Sequence, residues 1–144
     1  MKKWIFFSVV SALVVSLVGC GGSSEAGVEE QSSSTIEGVV DTYVEALNTE
    51  DVDLLLKTIH PFSSQHVELR GYYDKDFAQY DYDVEKVSVE VKDESDASAV
   101  VELVLSKKLV AEKGEGPNEL TEGEITQTLT LITKGEDWVI DKVE

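Results

Sequence analysis

The chain has 144 residues, 12 basic against 29 acidic side chains, a formal net charge of -17 and 42% hydrophobic residues. A surface this acidic repels phosphate backbones and anionic lipid headgroups, which argues against nucleic-acid binding and electrostatic membrane docking. The hydrophobic content and the patterned apolar runs argue against a disordered chain, and a single cysteine cannot close an internal disulfide, so the core must hold by packing alone.

At the start of the chain Lys2 and Lys3 precede an apolar stretch from Trp4 to Val18, and Gly19 and Cys20 end it. That is the three-part layout of a secretory leader. The run is shorter than the roughly 20 residues a spanning helix needs, and Ser8, Ser11 and Ser16 interrupt it. Leu17, Val18, Gly19 and Cys20 resemble the lipobox of bacterial lipoproteins. The resemblance implies cleavage between Gly19 and Cys20 by the lipoprotein signal peptidase and a diacylglyceryl group on the Cys20 thiol. Two acyl chains on one sulfur hold stably, where one chain gives only marginal membrane residence. A buried cysteine belongs in a core, whereas Cys20 is flanked by Gly19, Gly21 and Gly22. The leader and the lipidated Cys20 place the expected location on the extracytoplasmic face of the cell membrane. In lipoproteins of cells with two membranes the position after the cysteine influences sorting; Gly21 is not the aspartate that retains them inside, and a single-membrane bacterium is preferred.

From Cys20 to Ser34 the sequence is rich in glycine and serine and has no apolar period, which reads as a flexible tether of roughly 20 Å typical reach. The expected division is therefore a leader over 1–19, a lipidated cysteine and tether over 20–34, and one domain over 35–144.

The domain opens with helices. Ser34 and Glu37 form a capping-box pattern, and Ile36, Val39, Val40, Tyr43, Val44 and Leu47 make one apolar stripe at helical spacing. Asn48 to Asp51 break that stripe and offer a fresh cap. A shorter helix follows with Val52, Leu55, Leu56 and Ile59 inward, and Pro61 stops it. Ser63 or Ser64 is placed to cap a third helix towards Tyr80, with Val67, Tyr73, Phe77 and Tyr80 as its expected inward residues.

After Tyr82 the period changes to two. Val87, Val89 and Val91 alternate with polar residues, and Asp93 to Asp96 turn the chain. A long strand follows with Ala97, Ala99, Val101, Leu103 and Leu105 on one face and Val100 and Val104 on the other, as in a strand covered on both sides. Residues 112–123 form a polar loop, Ile125, Leu129 and Leu131 mark a third strand, Lys134 and Gly135 a tight turn, and Trp138 and Ile140 a fourth.

Two or three helices followed by about four antiparallel strands predict an α+β layer fold, with helices on one face of a curved sheet. The run VVDTYVEALNTEDVDLLLKTIHP, the later strands and the closing EDWVIDKVE resemble the NTF2-like (cystatin-like) superfamily, in particular its small secreted and lipoprotein members. The resemblance implies a cone with a cavity at its open end, used by some members for ligands and by a few for catalysis. The chain departs from larger members in lacking a clear strand pair between the second and third helices.

Catalytic members use a carboxylate or histidine with a tyrosine near the reacting oxygen. The matching residue types here are His60, His66, Tyr72, Tyr73, Tyr80 and Tyr82. None has a partner at a spacing that compels a role. His60 at the end of the second helix reads as capping carbonyls, and Tyr73, Tyr80 and Trp138 as core aromatics with their polar tips outward. The alternating acids Asp51 and Asp53, Asp74 and Asp76, and Asp81 and Asp83 do not continue into a calcium loop. Two histidines and a lipid-consumed cysteine do not make a zinc site, and neither a phosphate loop nor a nucleophile elbow is present.

The expectation is therefore a lipid-anchored, non-catalytic binding or interaction module of the cell envelope. It needs no metal and no cofactor, and its partner is an envelope protein or small ligand. Its candidate cavity residues are His60, Tyr73, Tyr80 and Trp138. The competing expectation is a small isomerase or dehydratase using a cavity His or Tyr. A cavity with a desolvated His or Asp facing a Tyr favours the enzyme, and an aliphatic-filled cone favours the module.

Overall fold

The structure is a computed structural model that describes residues 35–144; the expected leader and lipobox, Cys20 and the expected tether lie outside the described residues. Helix α1 spans Ile36–Thr49. Its cap is Thr35, not Ser34: the Thr35 hydroxyl accepts from the Gly38 amide at 3.0 Å, so the third helical position is Gly38 and Glu37 falls one place too early for a capping box. The expected stripe is inward: Val39, Val40 and Tyr43 have no exposed surface, and Ala46 joins them. Burying a side chain of that size contributes roughly 1.5–3 kcal/mol, so this face fixes the helix to the sheet far more firmly than propensity does.

Glu50 ends α1 in the left-handed region (φ 55°), and its ion pair with Lys113 fastens the bend. The bend presents Asp51 as the cap of α2, Val52–Thr58, where its carboxylate accepts from the Leu54 amide at 2.9 Å. The helix stops before Pro61 as expected, but Ile59 leaves it early to bridge Ile140 in parallel fashion, and the His60 amide donates to the Ile140 carbonyl at 2.7 Å.

Helix α3 spans His66–Gln79. Neither serine caps it. Gln65 holds the N-cap position without a side-chain bond, while the Ser63 hydroxyl shapes the preceding turn by accepting from the Gln65 amide and donating to the Asp141 carbonyl. Tyr73 and Phe77 face inward, but Val67 is 81% exposed, because the inward face of α3 is set by its C-terminal half, where Asp76 and Gln79 are buried beside them.

The four strands are β1 Tyr80–Glu94, β2 Ser98–Glu112, β3 Gly123–Lys134 and β4 Asp137–Val143, hydrogen-bonded in the order β1-β2-β3-β4, every pair antiparallel. Gly135 supplies the left-handed φ of 69° that the short β3–β4 turn requires. Strand β1 begins at Tyr80, two residues before the expected change of period. Register shifts between Asp81 and Tyr82, Lys86 and Ser88, and Val91 and Asp93 bend it. The second shift leaves Val87 without an opposite residue and 52% exposed. Val87, Val89 and Val91 therefore do not form a buried face; they line an open groove of about 710 Å³ with Ile36 and Trp138, where α1 has only begun and does not cover the sheet.

The core lies between α1 and the inner sheet face, with Val101, Leu103, Leu129, Leu131 and Ile140 fully buried. Among the described residues no helix is long and apolar enough to cross a membrane. The fold is three helices on a four-stranded open antiparallel sheet, the α+β layer arrangement that the pattern predicts.

Candidate functional site: a cavity behind the β2–β3 loop

Between α1, α3 and the sheet lies a cavity of about 260 Å³. Its apolar wall comes from residues such as Leu47, Leu69, Phe77, Leu105 and Ile125, and its polar wall from Lys107, Gln127, Thr121 and three tyrosines. The β1–β2 register puts Lys107 opposite Val84 and Leu109 opposite Tyr82, so the lysine enters on the inner face that Leu103 and Leu105 also occupy.

Three polar features meet there. Asp76 has no exposed surface, and its Oδ2 accepts from Lys107 Nζ at 3.2 Å, while Oδ1 has no partner among the described residues. Asp76 stands behind the lysine and is not part of the cavity wall. Lys107 Nζ lies 3.5 Å from the centroid of the Tyr82 ring, a cation–π contact. Burial pulls the ammonium below the usual lysine range, against the opposing pull of Asp76. Tyr82 is 4% exposed; its hydroxyl, with almost no accessible surface, lies near the Thr121 backbone but among the described residues completes no hydrogen bond, and burial pushes it up to about 12.

Deeper in, the Tyr43 hydroxyl donates to Gln127 Oε1 at 3.3 Å and accepts from the Tyr73 hydroxyl at 3.1 Å. Burial raises both tyrosines, Tyr73 well above the ordinary value. Tyr73 thus turns its polar tip inward, contrary to expectation, because Tyr43 offers a buried partner.

Of the four cavity candidates, Tyr73 lines this cavity and the others do not. The Tyr80 hydroxyl donates to the Asn118 carbonyl at 3.0 Å, and Trp138 belongs to the open groove by Ile36. His60 is held by its backbone bond to Ile140 and by an edge contact with Phe62 at 5.8 Å; among the described residues its imidazole caps no carbonyl.

The polar core of the site falls on residues that composition disguises. Asp76 belongs to an alternating acid pair that reads as a solvated face. It lies three residues after Tyr73 and next to Phe77, however, on the inward stripe of α3. Lys107 continues the odd-numbered parity of Val101, Leu103 and Leu105. Helical and strand phase were therefore the available signals. Among the described residues no group of three or more His, Cys, Asp or Glu could hold a metal ion.

The loop between β2 and β3 closes one side of the cavity through Thr121. Asn118 fastens it: the Gln79 carboxamide donates to the Asn118 carbonyl at 3.2 Å and accepts from its amide at 3.0 Å, and Asn118 Nδ2 donates to the Tyr72 carbonyl at 3.1 Å.

A helical layer on an open antiparallel sheet, enclosing a cavity against the first and third helices, defines an NTF2-like or cystatin-like domain. The family model for the anti-sigma-I factor RsgI9, C-terminal domain, matches residues 38–144, and the chain belongs to that family. No curated protein sequence matches it. Solved structures similar to it include an NTF2-like superfamily protein from Salmonella enterica, at 12% identity over 74% of this chain and 83% of that one, with a TM-score of 0.57. A protein of unknown function with a cystatin-like fold from Nostoc punctiforme is 14% identical over 75% and 84%, with a TM-score of 0.57. An NTF-2-like protein from Shewanella oneidensis is 15% identical over 75% and 93%, with a TM-score of 0.54. At these identities the likeness is one of fold.

Proposed function

We propose that this chain is a bacterial lipoprotein, anchored through diacylated Cys20 on the outer side of the cell membrane, whose domain is a non-catalytic module that binds a small ligand in the cavity behind the β2–β3 loop. The observation that carries the binding role is the cavity itself: a largely apolar space of about 260 Å³ beside a packed core, with Lys107 and Gln127 in its wall. Protein interiors are close-packed, and a void of this size is a feature to be explained by what enters it.

Membership of a family defined on the terminal domain of a regulatory protein supports recognition over turnover. The anchor is supported by Leu17 to Cys20 and by the tether that follows. The site sits between the two expected extremes. A desolvated carboxylate does stand among tyrosines, as an enzyme would need, but Asp76 is engaged by Lys107 and set back from the wall. A general base must reach the proton it takes.

The test is a set of amide NMR spectra of the nitrogen-labelled protein titrated with a mixture of small neutral fragments. The proposal expects shifts at Tyr73, Tyr82, Lys107 and Gln127. Shifts confined to the outer sheet face or to the groove beside Trp138, or none at all, contradict it.

A further inference from the structure

From the chemistry of the cavity wall we infer the class of its ligand: a compact neutral molecule with an apolar, ring-sized body and one hydroxyl or carbonyl oxygen. The inference rests on the binding reading above and narrows it.

Size sets the body. An apolar cavity of about 150 Å³ holds benzene, so about 260 Å³ takes a ring with a short substituent. The aliphatic and aromatic side chains over most of the wall favour such a body over a strongly hydrated one.

Charge sets the rest. The site already holds one buried negative and one buried positive charge, Asp76 and Lys107, and they balance. An anionic ligand would leave a second carboxylate against a single lysine in a low-dielectric space, and the acidic domain surface opposes its approach. A cationic ligand would meet the Lys107 ammonium, and Asp76 is not on the wall to receive it. A neutral oxygen meets neither penalty. It finds a donor in Lys107 Nζ, of whose hydrogens Asp76 takes one.

The experiment is calorimetric titration of the full mature protein with four probes of one shape: para-ethylphenol, ethylbenzene, para-ethylbenzoate and para-ethylbenzylamine. The expected result is that para-ethylphenol binds best and that the two charged probes bind at least about tenfold more weakly. Lys107→Met combined with Asp76→Leu, which removes the charged pair together, should fold and bind para-ethylphenol roughly three- to tenfold more weakly. Thr121→Trp, a change on the exposed loop, should fill the mouth and abolish binding of every probe. Equal or tighter binding of the benzoate or the amine overturns the ligand class while leaving the cavity as a site, as does undiminished binding by the Asp76→Leu, Lys107→Met double variant. Binding of none of the four overturns the cavity reading itself, and so does unchanged binding by Thr121→Trp.

Discussion

Asn48 holds Val84 as a neighbouring strand would: its side-chain amide donates to the Val84 carbonyl, and its Oδ1 accepts from the Val84 amide at 2.7 Å. Val84 lies on the outer edge of β1, so the last turn of α1 closes an edge that would otherwise offer free backbone groups to another chain. Gln65 does the same at the opposite edge, where its carboxamide takes both backbone groups of Val143. Gln79 with Asn118 is the third such pair.

Asn48→Asp is nearly isosteric but removes the donor and sets a carboxylate against the Val84 carbonyl. The expected loss is about 1–3 kcal/mol in urea denaturation, with increased self-association as the β1 edge opens. Asn48→Ala should lose a similar amount. A loss below the error of the fit would show that the pairing carries no stability.

Asp76 and Lys107 form a pair whose halves are worth little apart. Asp76→Asn leaves a buried ammonium without a counter-charge and should cost about 3–5 kcal/mol, while Asp76→Leu combined with Lys107→Met should recover most of that loss. A double-mutant cycle in urea measures it. Additive losses would show that the two groups do not depend on each other.

The buried tyrosines set the alkaline limit. Tyr43, Tyr73 and Tyr82 all hold their protons above the ordinary value of 10.0 because burial disfavours the phenolate. Above pH 10 the unfolded chain releases these protons while the folded one keeps them, so the folded state binds more protons and stability falls as pH rises. Tyr82 alone should account for about 2–3 kcal/mol by pH 12. Lys107 works in the opposite direction below the ordinary lysine value of 10.5, since its folded form gives up a proton that the unfolded chain retains. Tyrosinate absorbance and denaturation followed together should show the decline only above pH 10. A decline already complete at pH 9 would contradict this assignment.

The Asn118 latch predicts where the structure opens. Gln79→Ala removes both halves of the pair. Gly116→Ala puts a Cβ 2.2 Å from the Gln79 carboxamide and forces it aside. Both should speed cleavage by a glutamate-specific protease at Glu115, Glu119 and Glu122, with a global loss of only about 1–2 kcal/mol. Cleavage at the wild-type rate would show that the loop is held by other contacts.

Much of the fold was legible because hydrophobic period reports on which face is buried. The α1 stripe, the stop before Pro61 and the alternation along β2 are all packing signals, and packing built those elements. The site was less legible for the same reason. Tyr43 and Tyr73 were placed inward by period, but a tyrosine's period says nothing of where its hydroxyl points. Asp76 and Lys107 were masked by a chain in which acids and lysines are common outside. Val87 was misplaced because a one-residue register shift, invisible in composition, changes what a strand presents.

The central claim is that the cavity behind the β2–β3 loop is a ligand site, and a crystal structure of the protein grown with para-ethylphenol tests it most directly. The account predicts ring-shaped difference density among Phe77, Leu105 and Ile125, with the phenol oxygen within hydrogen-bonding distance of Lys107 Nζ. A cavity closed by its own side chains, or density found only in the groove beside Trp138, would contradict it.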